Sequence, residues 1–200
     1  MQEPYFSSGN DNRVVSWLAR WGVWAAFAWG LAEATLFFII PDVIVGAVSL
    51  FQPRRAAAAV GAAIGGAMVG GVVLVLVAQS LGPSLIEVIE DVPGIPREMV
   101  TAAQVDLDAH GGAALLLAPL SGTPYKIYAA EWGVRGWGLP ALLAWTIPAR
   151  ALRLVPVAVL AAGVGLVLRR NLVRRPWLWL GLYGLIWTGV YVLYFRVNGF

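Results

Sequence analysis

The chain of 200 residues is 60% hydrophobic and only 12% charged, with a mean hydropathy of +0.75, where a soluble domain carries about 25% charged residues. Such a composition is built for lipid, and nothing along the chain marks a boundary where a second, soluble domain could begin. The absence of cysteine excludes disulfides, thiolate chemistry and cysteine-ligated metals; the single His110 has no carboxylate cluster around it in sequence; and a net charge of +3 is too dispersed for a nucleic-acid-binding face. No metal, no cofactor and no nucleic-acid partner is expected.

Residues 1 to 13 form a polar tail that lacks the basic start, apolar core and small-residue cleavage site of a signal peptide. One membrane domain is expected over residues 14 to 196. The first apolar stretch, from about Val14 to Ile40, is interrupted by Arg13, Arg20 and Glu33 and ended by Pro41-Asp42. The apolar piece at 43 to 51 is too short to cross a bilayer, which takes about 20 residues. Two short apolar arms joined at a Pro-Asp break predict a re-entrant hairpin over about 23 to 51, its tip in the membrane and both ends on one side.

Residues 56 to 81 are an unbroken apolar run of 26, about 39 Å long as a helix, and predict a span. Within it Gly61/Gly65 and Gly66/Gly70 have the GxxxG spacing that lets a second helix come close. Residues 82 to 110 carry Glu87, Glu90, Asp91, Glu98, Asp106 and Asp108 against Arg97, which predicts a polar surface segment with a short helix beginning near Pro96. A second re-entrant hairpin is predicted over about 111 to 137, broken at SGTPYK. Two further spans follow over about 139 to 168 and 176 to 195, separated by the basic RRNLVRR. Trp177, Trp179, Trp187, Tyr191, Tyr194 and Phe195 at the ends of the last span read as interface anchors.

If each hairpin returns to its own side, Arg13, Arg20, Arg54, Arg55, Arg169, Arg170, Arg174 and Arg175 all fall on one face and the acidic segment 82 to 110 on the other. By the positive-inside rule the loops 52 to 55 and 169 to 175 are then cytoplasmic, with the protein in the cytoplasmic (inner) membrane. The fold expected is an all-α integral membrane protein, an inverted repeat of two re-entrant helical hairpins plus transmembrane helices. In such repeats binding sites form at broken helices near the midplane.

The stretch LAEATLFFIIPDVIVGAVSL in the first half, with PLSGTPYKIYAAEWG and IPARALRLVPVAVL in the second, resembles the DedA superfamily, also called VTT or SNARE-associated membrane proteins, and most closely its compact YqaA-like branch. The resemblance covers roughly residues 30 to 168 and rests on an acidic residue ahead of a Pro-containing hairpin, a TPxxK turn and a downstream arginine pair. It implies two opposed re-entrant hairpins and a role in moving lipids across the bilayer, including the polyprenyl-phosphate carrier of envelope synthesis, linked to the proton motive force. The family's membrane-embedded acids and arginines match Glu33, Asp42, Arg150 and Arg153 here. The chain departs from many relatives in reading Pro41-Asp42 where they have a Pro-Gly-Glu type turn, and IPARALR without flanking aromatic and glycine residues.

The residues themselves point to anion and proton chemistry, each with a plainer alternative. Asp42 after Pro41 is either a helix N-cap or a proton carrier at membrane depth. Glu33, inside an apolar run, is a functional-site candidate by default, or else a structural partner for Arg150 or Arg153. Thr123 can cap and Pro124 suits the first helical position, so the arm from Tyr125 presents free amides and a positive dipole end at the hairpin tip, with Lys126 adding a full charge. The alternative has Lys126 snorkelling to the interface. Arg150 and Arg153 share a helix face and can grip a phosphate bidentately, or anchor the interface. Glu131 and Arg135 read as a solvated i,i+4 pair, and Tyr125 and Tyr128 as head-group donors or interface residues.

No nucleophile-base arrangement and no phosphate loop appears, so catalysis by this chain alone is not expected. The leading expectation is a flippase- or scramblase-like transporter of an anionic isoprenyl phosphate or phospholipid. Thr123, Tyr125, Lys126, Arg150 and Arg153 would hold the head group, Glu33 and Asp42 would carry protons, membrane lipids would be the partners, and a homo-oligomer stays open. The alternatives are a proton-coupled exporter of small solutes or drugs, and a non-transporting membrane scaffold whose buried charges pair only with one another.

Overall fold

The computed structural model describes residues 13 to 35, 40 to 92 and 94 to 198. All of the expected polar tail except Arg13, and residues 36 to 39 of the first break, lie outside the described residues. Every described element is helical: α1 (Arg13–Thr35), α2 (Asp42–Phe51), α3 (Ala56–Leu81), α4 (Ser84–Glu90), α5 (Arg97–His110), α6 (Ala114–Ser121), α7 (Tyr125–Val134), α8 (Leu139–Val167), α9 (Arg169–Arg174) and α10 (Pro176–Asn198). Among the described residues three helices are long and apolar enough to cross a membrane, at Pro53–Leu81, Leu139–Val167 and Pro176–Val197.

The first half differs from expectation in one respect. Its leading arm is no short arm beginning near residue 23 but a continuous helix of 23 residues from Arg13. Arg13 and Arg20 are both exposed, and arginine is a good helix former, so these charges face outward without interrupting the helix. The polar segment also does more than coat a surface. α5 starts just after Pro96 as expected, and α4 precedes it; both bury apolar side chains, among them Leu85, Ile86, Ile89, Val100 and Leu107.

The break between α6 and α7 has a local cause. α6 contains Pro119 and ends at Gly122, whose φ of +76° is left-handed backbone that suits glycine, its N–H closing on the Ala118 carbonyl. Pro124 follows in extended geometry (φ −61°, ψ 136°), and helix resumes at Tyr125.

α1 lies along α3, and α6 along α8. The two short helices are exchanged: α2 packs on α8, and α7 packs on α3. Both exchanged contacts run through a glycine, with Gly165 of α8 against the Leu50 backbone of α2 and Gly133 of α7 against the Val75 backbone of α3. α2 and α7 are accordingly the most enclosed helices, with nearly every residue buried. One apolar cluster joins α4, α5 and α7 to the second half of α3; the other joins Val15, Leu18, Phe51 and Leu172 around the start of α3. Leu172 sits among residues of α1 and α2, so the basic stretches at 52 to 55 and 169 to 175 share one end of the bundle, and the acidic α4 and α5 belong to the other.

Of the two GxxxG pairs in α3, Gly66 and Gly70 make the close approach: Gly66 touches the Phe27 backbone, and a Cβ on Gly70 would stand 2.7 Å from Ala34 Cβ and 2.8 Å from the Leu31 carbonyl. Gly61 faces open space. Between helices in lipid such backbone contact stands in for the missing hydrophobic driving force. Gly66→Val is therefore expected to destabilise the folded protein by about 2 kcal/mol or more through overpacking. Gly61→Ala should leave it unchanged or raise stability by up to about 1 kcal/mol through helix propensity; thermal unfolding in detergent measures both.

Candidate functional site

The site lies where the breaks meet α8. Glu33, near the end of α1, accepts a hydrogen bond from Arg150 Nη2 at 2.5 Å, and both side chains are almost wholly buried, at 5% and 6% exposure. Nine residues further on, Asp42 opens α2. Helix α2 has Pro41 at its N-cap position with no side-chain cap, so the capping role is not taken up. The Asp42 carboxylate turns instead to Arg153. The Arg153 Nε–H points at Oδ1 (3.1 Å), while Oδ2 lies 3.0 Å from the same nitrogen in ionic contact but receives no aligned donor.

Two features of α8 prepare it for this role. Arg150 and Arg153 are three residues apart and so face the breaks together. They also lie between Pro148 and Pro156, each of which removes a backbone donor from the helix and leaves the carbonyl four residues earlier without its usual partner. The polar backbone exposed on either side suits charge better than an unbroken apolar helix would.

A cavity of about 220 Å³ adjoins the pairs. Glu33, Lys126 and Arg153 give it charge; Pro119, Gly122 and Pro124 give it the second break; Ile40 gives it the first; and Val190, Tyr191 and Tyr194 of α10 close the remaining side. Lys126 is buried at 2% exposure, so it does not snorkel, and its ammonium interacts electrostatically with Glu33. Five of the sequence-predicted residues, Glu33, Asp42, Lys126, Arg150 and Arg153, are thus brought together.

Two of the predicted head-group residues are not. Thr123 makes no cap on α7, because Pro124 occupies the N-cap position; its hydroxyl lies 2.9 Å from that of Ser121 instead. The Tyr125 hydroxyl is 2.8 Å from Thr146 Oγ1, away from the cavity, and the ring lies under the Arg150 guanidinium at 4.5 Å from its centroid. Arg150 also stands behind Glu33 and outside the cavity wall. The cations that face the cavity are Lys126 and Arg153.

The tyrosines of α10 depart from the anchor reading. Tyr191 accepts a hydrogen bond from the Ile40 N–H (2.8 Å), Tyr194 donates to the Gly94 carbonyl (3.2 Å), and Tyr183 donates to the Val43 carbonyl (2.7 Å). Their spacing of eight and eleven from Tyr183 places all three on one helical face, a signal present in the sequence but masked by the aromatic belt expected at membrane interfaces. The pair Glu131 and Arg135 is likewise no solvated pair: Glu131 is buried, takes a hydrogen bond from Gln104 Nε2 (2.7 Å) and meets Arg135 at 3.5 Å, and Arg135 continues to Asp108 of α5. Tyr128 donates to Asp106 (3.2 Å), again on α5. Among the described residues no group of three or more His, Asp or Glu is placed to hold a metal ion.

No protein family, curated protein or solved structure matches this chain. The site's own geometry therefore carries the functional reading.

Removing one partner of a buried ion pair leaves an uncompensated charge, which costs about 3–5 kcal/mol, whereas removing both is often neutral. Arg150→Gln or Glu33→Gln alone should lower thermal stability strongly, and the double variant should recover most of the loss. A double-mutant cycle by thermal unfolding measures the coupling, and additive losses would contradict the pairing.

Proposed function

We propose that this chain is a DedA-like membrane transporter that moves an anionic lipid head group, an isoprenyl phosphate or a phospholipid, between leaflets, linked to the proton gradient. The observation that carries the reading is the placement of two carboxylate–arginine pairs beside a cavity at two helix breaks. Paired charges inside a lipid-built protein are a poor source of stability, because the cost of desolvation rivals the attraction gained. Their presence argues for use.

The reading gives each group a part. A phosphate offers Arg153 the same bidentate acceptance that a carboxylate does, so it competes with Asp42 for that guanidinium. When Asp42 takes up a proton, Arg153 loses its partner and, with Lys126, becomes an anion receptor. When the proton leaves, the carboxylate pairs again and the anion is displaced. Glu33 acts in the same way on Lys126, which faces the cavity, while Arg150 holds Glu33 from behind. Val190, Tyr191 and Tyr194 supply a side on which the lipid's apolar chain can stay in the bilayer while its head group enters.

In this proposal the units α1–α2 and α6–α7 are re-entrant hairpins of an inverted repeat. The exchanged packing of α2 on α8 and of α7 on α3 supports that reading, as an inverted repeat relates the two contacts to one another. The gathering of eight arginines toward one end supports a cytoplasmic placement for 52 to 55 and 169 to 175.

A second reading is favoured by one observation: each arginine already has its carboxylate, as a non-transporting scaffold would require. A charge swap, Glu33→Arg with Arg150→Glu, separates the two, since a scaffold tolerates it and a transporter with a directional site does not. A small-solute exporter would move counter-ions without lipid.

The test is leaflet exchange of labelled polyprenyl phosphate and labelled phospholipid in proteoliposomes, with and without a pH gradient. Wild type is expected to exchange lipid, faster with the gradient. Arg153→Gln should lose about tenfold or more, since a hydrogen bond to a charged group is worth roughly 1.5–3 kcal/mol. Lipid exchange unchanged in Arg153→Gln would defeat the proposal.

A further inference from the structure

Behind the cavity stands a set of side chains that touches neither cavity nor solvent. Tyr125 of α7 is 6% exposed and Thr146 of α8 is fully buried. Thr146 donates to the Leu142 carbonyl at 2.8 Å, so its oxygen accepts from the Tyr125 hydroxyl, also at 2.8 Å. On the far side, α3 has Gly71 where that hydroxyl comes to rest: a Cβ there would overlap the hydroxyl oxygen and stand 3.2 and 3.3 Å from two ring carbons. The opposite face of this arrangement is Arg150, over the Tyr125 ring at 4.5 Å from its centroid, with Nη2 bonded to Glu33 and Nε buried without an acceptor among the described residues.

We propose that Tyr125 is a positioning residue for the Glu33–Arg150 pair: seated against Gly71 and pinned by Thr146, its ring holds the guanidinium in line with Glu33. The physical need is plain. Arginine is long, with several rotatable bonds, and fixing it costs conformational entropy unless its surroundings hold it already. An aromatic face attracts the cation without occupying a donor, and does so more strongly where water is excluded. The hydroxyl's role is confined to orienting the ring, and the glycine's to admitting it. Three helices thereby set one charge: α3 through the space at Gly71, α7 through the ring, and α8 through Thr146 and Arg150 four residues apart on one face.

This inference takes its functional meaning from the lipid-transfer reading and its geometry from packing alone, and the experiment reads the two separately. The variants are Gly71→Ala, Tyr125→Phe, the double Gly71→Ala/Tyr125→Phe, and Tyr125→Leu, each in the full chain. The first readout is phospholipid exchange in proteoliposomes. Gly71→Ala should reduce exchange by about tenfold, the scale of coupling between packed neighbours. Adding Tyr125→Phe should restore it, because the atom in conflict with the new methyl group is the hydroxyl and the ring under Arg150 remains. Tyr125→Leu, which keeps an apolar side chain but removes the ring, should fall as low as Arg150→Gln. Where Gly71→Ala does not fold, folded yield replaces exchange, and recovery in the double variant carries the same meaning.

The second readout needs no transport. The coupling between Glu33 and Arg150, from a thermal-unfolding cycle of Glu33→Gln and Arg150→Gln, should fall markedly in the Tyr125→Leu background. A folded double variant no better than Gly71→Ala, or an undiminished coupling without the ring, overturns the positioning role. Loss of coupling in the Tyr125→Leu background, together with a wild type that moves no lipid, would keep the positioning role and sink the transport reading instead.

Discussion

The energetic problem that organises this protein is the burial of ions in a chain otherwise made for hydrocarbon. Glu33, Asp42, Lys126 and Arg150 are each exposed by about one-twentieth at most, and only their mutual placement makes this tolerable. A lone charge there would cost several kcal/mol. The pairs must therefore form together, and each draws on elements distant in sequence, from the first break to the middle of α8. The bundle cannot loosen at its centre without separating them.

Bringing those elements close enough falls to glycine. α1 reaches α3 at Gly66 and Gly70, α2 reaches α8 at Gly165, and α7 reaches α3 at Gly133 and Gly71. A membrane protein draws little hydrophobic energy from helix association, so short interhelical distances and many dispersion contacts take its place. Here the same short distances also fix where the charged side chains can meet. α10 stands apart from this scheme, its spanning window unburied; Trp179, Leu180 and Tyr183 pack against the cluster around Phe51 and Leu172, and tyrosine hydroxyls bond to backbone groups of Ile40, Val43 and Gly94. It closes the cavity with Val190, Tyr191 and Tyr194, two of them held by directional bonds.

Much of the architecture was legible in the sequence because it follows from local signals. The long helices α3, α8 and α10 appear as apolar runs, the second break as Gly and Pro around Thr123, and the start of α5 as Pro96. The charged residues of the site were legible too, since an ion in an apolar run is conspicuous. The pairing of Glu33 with Arg150 was legible only as one of two arginine partners, and that of Asp42 with Arg153 was not, because nothing local ties residue 33 to residue 150 or 42 to 153. For the same reason Tyr125 looked like a head-group ligand: its position beside the second break was visible, but Thr146 and Gly71, which hold it away from the cavity, come from other helices. Arg13 and Arg20 misled in the other direction, suggesting an interruption where the helix turns them outward.

In the proposed transport cycle an anion takes the arginine only as the carboxylate takes a proton. Infrared difference spectroscopy of the protein in nanodiscs, on addition of a phosphodiester lipid that has no proton of its own to exchange near neutral pH, reads this directly. A new protonated-carboxyl band is expected to appear on lipid binding and to be diminished in Asp42→Asn. Lipid binding to the wild type with no carboxyl protonation would mean that the pairs stay closed, and that the site does not work by exchange of partners.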